Sequence, residues 1–291
     1  MKSRFDPPIV TRRAALKAAL GPALALASLG TALPAWAQAP GALDKVRQRG
    51  TLTVGVYTEH PPFHDNGQGI EVRLAEALGK ALGVKAALLP FPAGENMEDD
   101  LRNMVWRGHY LGYGPADVLL HVPVEAAFIA ANPQVRIFGP YWRESVVIAR
   151  AKAALPNLDS LAELKGRKVV VAGQSLPGWL MIGAEGGVLR DQLITKIANG
   201  VEAARLLGRG EADAAAGLRS EVESVLGSDE RFVLSRLPGP RSPREVWAVG
   251  MAVKKDAVDL AQALQSALNT LAESGELREI FRAGGVDWQR P

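Results

Sequence analysis

Residues 246–281, VWAVGMAVKKDAVDLAQALQSALNTLAESGELREIF, decide how this chain folds. Val246 to Val253 is an apolar, charge-free run that reads as a buried strand. From Asp256 to Ser274, Val258, Leu260, Ala261, Leu264, Leu268 and Leu271 recur at helical spacing, and a second helical run follows from Gly275 to Phe281. A strand followed by helices that have no sheet of their own must pack on a sheet made earlier in the chain. The end of the sequence therefore leaves one half of the molecule and returns to the other. Two crossings of this kind make a hinge with a cleft between two lobes.

The upstream pattern supplies both halves. Thr51 to Tyr57 is continuous and β-branched, as a strand buried on both faces should be, and it stops before Pro61-Pro62. Val72, Leu74, Ala75, Leu78 and Leu82 follow with helical spacing, Gly83 closes them, and Val84 to Leu89 gives a second strand. Strand, helix, strand at this length is a right-handed parallel unit. A helix is expected from about Met97 to Arg107, then strands over Ala116–Val122 and Ser145–Ala149. The pattern restarts at Arg167–Gly173, with Pro177 opening a helix. Strands around residues 193–198, 212–216 and 232–234 alternate with helices at about 200–208 and 219–226. The fold class is α/β, two sheet-and-helix lobes joined by a two-stranded hinge. The expected division is 45–142 plus 251–291 for the first lobe and 143–250 for the second.

Residues 1–37 read as an export signal. A basic start leads to Thr11-Arg12-Arg13-Ala14-Ala15-Leu16-Lys17, then to an Ala/Leu/Gly run and the small-x-small site Ala35-Trp36-Ala37. The Arg pair resembles a twin-arginine signal, with general secretion as the other route. Gly21, Pro22, Gly30 and Pro34 argue against a membrane anchor, and no later run is apolar enough to span a bilayer. Removing the signal takes Lys2, Arg4, Arg12, Arg13, Lys17 and Asp6, so 34 − 5 = 29 basic and 31 − 1 = 30 acidic residues remain. The net charge of −1 removes the support that a basic pI lent to nucleic-acid binding. The chain has no cysteine, so thiolate chemistry and disulfides are excluded.

Taken in order, several stretches resemble bacterial extracellular solute-binding proteins of the class-3 type, the periplasmic receptors of amino-acid importers. They are Thr51–Val56 with Pro61-Pro62-Phe63, Gly69–Leu78, Ala116–Leu120, Pro140-Tyr141-Trp142, Leu161–Val169, Ala212–Ala215 and Leu268–Phe281. The resemblance covers residues 45 to 288. It implies the type II periplasmic-binding-protein fold, a monomer in the periplasm, an ABC permease as partner and a small-molecule ligand in the cleft. It also implies an Arg after the strand at Ala116–Leu120, gripping the ligand carboxylate, and a second-lobe carboxylate after Ala212–Ala216, holding the amine. This sequence departs from both. The first segment reads Val122-Pro123-Val124-Glu125-Ala126-Ala127, with no Lys or Arg between His109 and Val135, and the second position reads Leu218 or Arg219. Burying a zwitterion without such partners is costly, so the expected ligand is a small non-amino-acid solute, an organic acid or an oxidised metabolite.

A narrower resemblance joins Asp99–Gly112 to exported receptor-like proteins that accompany quinoprotein alcohol dehydrogenases. It implies, as an alternative, an accessory role with a dehydrogenase or cytochrome partner. An enzyme on the same scaffold, such as a dehydratase using a cleft carboxylate or His, is a further alternative. No Gly-x-Ser-x-Gly elbow or phosphate loop supports catalysis, so no enzyme and no cofactor are expected.

The expected ligand-binding residues are Tyr57 and Phe63, at the end of the first strand; His121, at the end of the strand before the missing Arg; and Trp142 with Arg143, at the first hinge crossing. Gln174 and Ser175, before Pro177, and Arg219 in the second lobe complete the set. Each has a plainer reading: strand-end packing for the aromatics, a structural His, a hinge wedge for Trp142, helix capping for Ser175 and solvated surface for the cations. His60 and His64 are four apart, but Pro61-Pro62 lies between them, so no metal site is expected.

Overall fold

The computed structural model describes residues 39–239 and 246–291. The export signal expected at 1–37 lies outside the described residues. Pro40 to Pro291 forms one compact unit. It begins with α1 (Ala42–Arg49), β1 (Thr51–Tyr57), α2 (Ile70–Leu82), β2 (Lys85–Phe91), α3 (Met97–Leu101), β3 (Val118–Pro123) and α4 (Ala126–Ala131). A single long strand, β4 (Val135–Ala151), leads to β5 (Val169–Val171), α5 (Leu176–Gly183), β6 (Leu193–Ile194) and α6 (Gly200–Gly208). The chain ends with β7 (Ala214–Leu218), α7 (Arg219–Leu226), β8 (Phe232–Arg236), β9 (Val246–Lys254), α8 (Val258–Ser274) and α9 (Glu276–Ala283).

The strands run in the order β2-β1-β3-β9-β4-β7-β5-β6, with β8 also paired to β4. β1 is parallel to β2 and β3, and β5 is parallel to β6 and β7, giving one parallel unit on each side. β4 joins them. Its first half, Val135 to Ser145, pairs antiparallel with β9, while Val146 to Ala151 pair with β7 and β8. The Ser145–Ala149 run expected as a separate strand is thus the far end of a 17-residue one. Pro140 does not break it, because the register with β9 shifts between Phe138 and Trp142, and a bulge tolerates a residue without an N–H.

β9 comes from the second half of the chain and enters the first sheet between β3 and β4. Behind it α8 and α9 pack Leu264, Leu268 and Phe281 against Val54, Leu74, Leu78 and Met251 in one core. A separate core gathers Ile148, Val169, Val171, Met181 and Ala216. This is the two-lobed α/β architecture, with the covalent crossings at β4 and on the way into β9.

Two local expectations change. The helix begun at Met97 gives way after Leu101 to a π-helical turn over Arg102–Trp106, where Arg107 N–H reaches back five residues to the Arg102 carbonyl (2.9 Å). The strand expected over 193–198 is only Leu193–Ile194. Among the described residues no helix is long and apolar enough to cross a membrane.

Candidate functional site

A cavity of about 960 Å³ lies between the loop after β1 and the start of α6. Its first wall is Thr58, Glu59, Pro61, His64, Asp65, Asn66 and Gly67 with Leu88 and Pro90 of β2; the facing wall is Ala198 to Arg205. The loop is held in shape by backbone bonds: His60 and His64 bond each other in both directions (2.8 and 2.9 Å), and Ile70 and Glu71 N–H reach the carbonyls of Pro62 and Phe63 (3.0 and 2.9 Å). Gly69 sits at φ 132°, a conformation that only glycine adopts freely, and a Cβ there would overlap the Phe63 carbonyl.

The charges of the cavity are of both signs. Glu59 and Asp65 stand on the first wall, and Glu202 and Arg205 on the second. Asn199 caps α6 by accepting from Glu202 N–H (3.0 Å). Behind that wall, Glu221 of α7 accepts from Gly200 N–H (3.1 Å) and Leu218 N–H (2.9 Å), so one carboxylate fixes the first turns of both α6 and α7. Burial outweighs those two bonds and raises the Glu221 carboxyl to about 7.

The residues expected to bind ligand are placed differently. Tyr57 is a core residue: its ring packs on Phe91 (4.6 Å between centroids) and its hydroxyl donates to Asp100 (2.9 Å). Burial and the Asp100 carboxylate raise that hydroxyl far above the usual phenol range. Phe63 is also buried, in the first core. Phe91 of β2 and Asp100 cover Tyr57, while Phe63 stacks on His60 (5.5 Å) and packs edge-on against His121 (4.5 Å) and Phe281 (6.4 Å), so the structure shows both side chains in packing roles. Trp142 is fully buried as a hinge wedge, stacked on Phe281 (5.1 Å), with its indole N–H donating to Glu144 (3.0 Å).

Arg219 lies over the Trp142 ring (5.0 Å) and is committed to Glu223 (3.0 Å) and the Asp287 carbonyl (3.0 Å). Ser175 caps α5, accepting from Gly178 N–H (3.2 Å) and donating to the Ala172 carbonyl (2.7 Å). Its proton is committed to that carbonyl, and Gln174 beside it is exposed. Arg143 is exposed on the hinge strand, opposite Ala248. None of these eight residues lines the large cavity.

His121 is the exception in character. It ends β3 half-buried, with its Nδ1–H donating to Glu71 (2.7 Å) and its Nε2 3.1 Å from Nε2 of His60. Tyr141 donates to the same Glu71 oxygen and accepts from His121 N–H (2.8 Å). Burial and the neighbouring His121 and His64 hold His60 well below the usual imidazole range. Glu71 and His60 were missed as partners of His121, although both fall in stretches quoted above for other reasons. Among the described residues no three His, Asp or Glu side chains are placed to hold a metal ion.

The hinge carries a second buried acid. Glu144 accepts from Trp142, Ser145 N–H (2.9 Å) and both the N–H (3.3 Å) and hydroxyl of Ser220, which ties the hinge strand to α7. Burial still raises its carboxyl above the usual range.

A hinge of this kind between two α/β lobes, with a cavity walled by both, defines the type II periplasmic-binding-protein fold. Solved structures agree. An ancestral cationic amino acid solute binding protein superposes with a TM-score of 0.64 at 21% identity, over 83% of this chain and 98% of its own. The L-cystine solute receptor of Neisseria gonorrhoeae, in its unliganded open form, gives 0.58 at 22% identity, over 86% and 99%. In sequence, the L-cystine-binding protein TcyJ of Escherichia coli K12 is 49% identical over 55 residues, 17% of this chain. The match spans about a fifth (21%) of that relative's length. No family model matches the chain.

These relatives overturn the expectation of a non-amino-acid solute. That expectation rested on the two positions where the class-3 resemblance places its clamp. The cavity instead carries its cation, Arg205, and its carboxylates, Glu59 and Asp65, at positions outside that pattern. The matched proteins are named as amino-acid and cystine receptors, so the accessory role beside a quinoprotein dehydrogenase is set aside as well.

Proposed function

We propose that this chain is a periplasmic solute-binding protein of the class-3 kind, which holds an amino-acid-type solute between its lobes and delivers it to an ABC-type importer. The observation that carries the reading is the cavity of about 960 Å³ walled by both lobes, with an Arg facing carboxylates across it. Its size falls within the range of small-molecule sites, roughly 300–1,000 Å³. A solute bearing both a carboxylate and an amine has a partner for each there: Arg205 for the first, and Glu59, Asp65 or Glu202 for the second. In this reading the lobes are 45–142 with 251–291, and 143–250. They close over the solute by bending where β4 and β9 pair, and residues 1–37 export the chain.

The test is thermal unfolding of the exported form against single amino acids, L-arginine and L-cystine first, because a ligand bound only by the native state raises the melting temperature with its concentration over Kd. A concentration-dependent rise that Arg205→Ala weakens by about tenfold or more supports the reading. Absence of any rise across the amino acids refutes it.

A further inference from the structure

The two walls of the cavity show which parts of the lobes confront each other. The loop after β1 forms the first wall, and the start of α6, which follows β6, forms the second. In each lobe the next strand inward carries its own helix to the same rim: β3, parallel to β1, leads into α4, and β5, parallel to β6, leads into α5. Ligand crevices in open α/β sheets lie outside the carboxyl ends of the parallel strands, and both helices begin there. The topology therefore sets α4 of the first lobe opposite α5 of the second.

Both helices show solvent a face that suits a core better. α4 reads Ala-Ala-Phe-Ile-Ala-Ala and carries no charge; the nearest one, Glu125, precedes it. No residue of α4 is buried, and Ile129 is 37% exposed. α5 buries Pro177, Gly178 and Met181 and turns Leu176, Trp179 and Leu180 the other way, at the i, i+3, i+4 spacing of a single helix face. Trp179 is 69% exposed. A scattered exposed Leu is ordinary, whereas a charge-free face around an open indole marks a contact surface. The two faces also differ in size in a complementary way, small Ala side chains on one and a large ring on the other.

We propose that α4 and the Leu176–Trp179–Leu180 face of α5 are the two halves of an apolar latch, which meet when the lobes close and hold the closed form, with Trp179 as the anchor. This rests on the lobe closure of the reading above and not on which solute fills the cavity. The latch gives a reason for the segment without Lys or Arg between His109 and Val135, because a cation on α4 would lose its water without gaining a partner when the faces met. Solute affinity then depends on apolar burial at a distance from the cavity, since part of the free energy that holds the solute is the free energy of closing.

The experiment uses the absence of cysteine from the chain, which lets a pair be introduced without background. Ala130→Cys with Leu180→Cys puts one thiol on each face and keeps Ile129 and Trp179. A disulfide forms only where the two Cα atoms come within about 7 Å, so under mild oxidation this pair should link at least about tenfold faster than the control Ala130→Cys with Val188→Cys. Val188 is also exposed, in the second lobe, but lies past the end of α5. In the cysteine-free protein, Trp179→Ser should leave the melting temperature unchanged and weaken L-arginine binding about tenfold or more, while Trp179→Phe, which keeps a ring on the face, should retain most of the affinity. A linking rate no higher than the control's overturns the latch, and so does an affinity for L-arginine that Trp179→Ser leaves unchanged. The linking test needs no solute, so it decides the latch even where no amino acid binds, a result that would sink the amino-acid reading alone.

Discussion

Glu221 offers a direct check on how the second-lobe wall is held. It accepts two backbone N–H groups, from Gly200 and Leu218, and burial still raises its carboxyl from 4.5 to about 7. The folded state therefore holds this proton more tightly than the unfolded chain does. The stability it contributes is fully present below pH 4.5 and is lost as pH rises towards 7. A displacement of about 2.5 pH units, at ~1.4 kcal/mol each, amounts to about 3 kcal/mol. Glu221→Gln removes the charge but keeps only one acceptor oxygen, its NH2 facing the second backbone N–H, so it should be about 1–3 kcal/mol less stable than wild type near pH 4, and the difference should move in the variant's favour by up to about 3 kcal/mol as pH rises to 8. For a chain of this size that is roughly 6–12 °C in melting temperature. Calorimetric or urea unfolding of both proteins from pH 4 to 8 measures the difference. A gap that does not change with pH would refute the argument that burial dominates at this carboxylate.

Two further expectations concern the first lobe. Tyr57→Ala should cost about 3–5 kcal/mol of stability, because it empties part of a core. Tyr57→Phe, which removes the hydroxyl's bond to Asp100 and its contact with Met97 Sδ (3.2 Å), should cost about 1–2 kcal/mol and leave solute affinity unchanged, as urea unfolding and titration would show. Gly69→Ala should destabilise by more than about 2 kcal/mol through its φ of 132° and the overlap with Phe63, and it should weaken solute binding by displacing the loop that walls the cavity. Wild-type melting and binding in that variant would contradict the loop's role.

The sequence shows the repeating elements because their causes are local. Thr51–Tyr57 and Val246–Val253 are continuous apolar strands, and the spacing of Val258 to Leu271 marks α8 without reference to anything distant. The continuity of β4 is harder to read, because Gly139-Pro140 looks like a break and only pairing with β9 shows it to be a bulge. The neighbours of the expected site residues are the least legible part of the sequence. Tyr57 stands at a strand end, where exposure would be expected, and is covered by Phe91 and Asp100 from elements 34 and 43 residues away. His60 and His121 are 61 residues apart, and no periodicity joins them. Arg205 appears in the sequence as one more cation on an amphipathic helix, paired with Glu202 one turn before it (3.8 Å), and only the packing of α6 opposite the β1 loop sets it on a cavity wall.

The position of β9 has a consequence for how the protein is made. β3 and β4 are neighbours of β9 and not of each other, so the first sheet cannot be completed until residue 246 and its successors exist. Roughly 100 residues separate the end of the β9-paired part of β4 from the start of β9, which at about 5–20 residues per second is a delay of about 5–20 s. Throughout that interval two apolar strands keep open edges that invite pairing with other chains. A nascent chain of this protein is therefore most exposed to aggregation while its second lobe is being synthesised, and chaperone dependence should concentrate in that window.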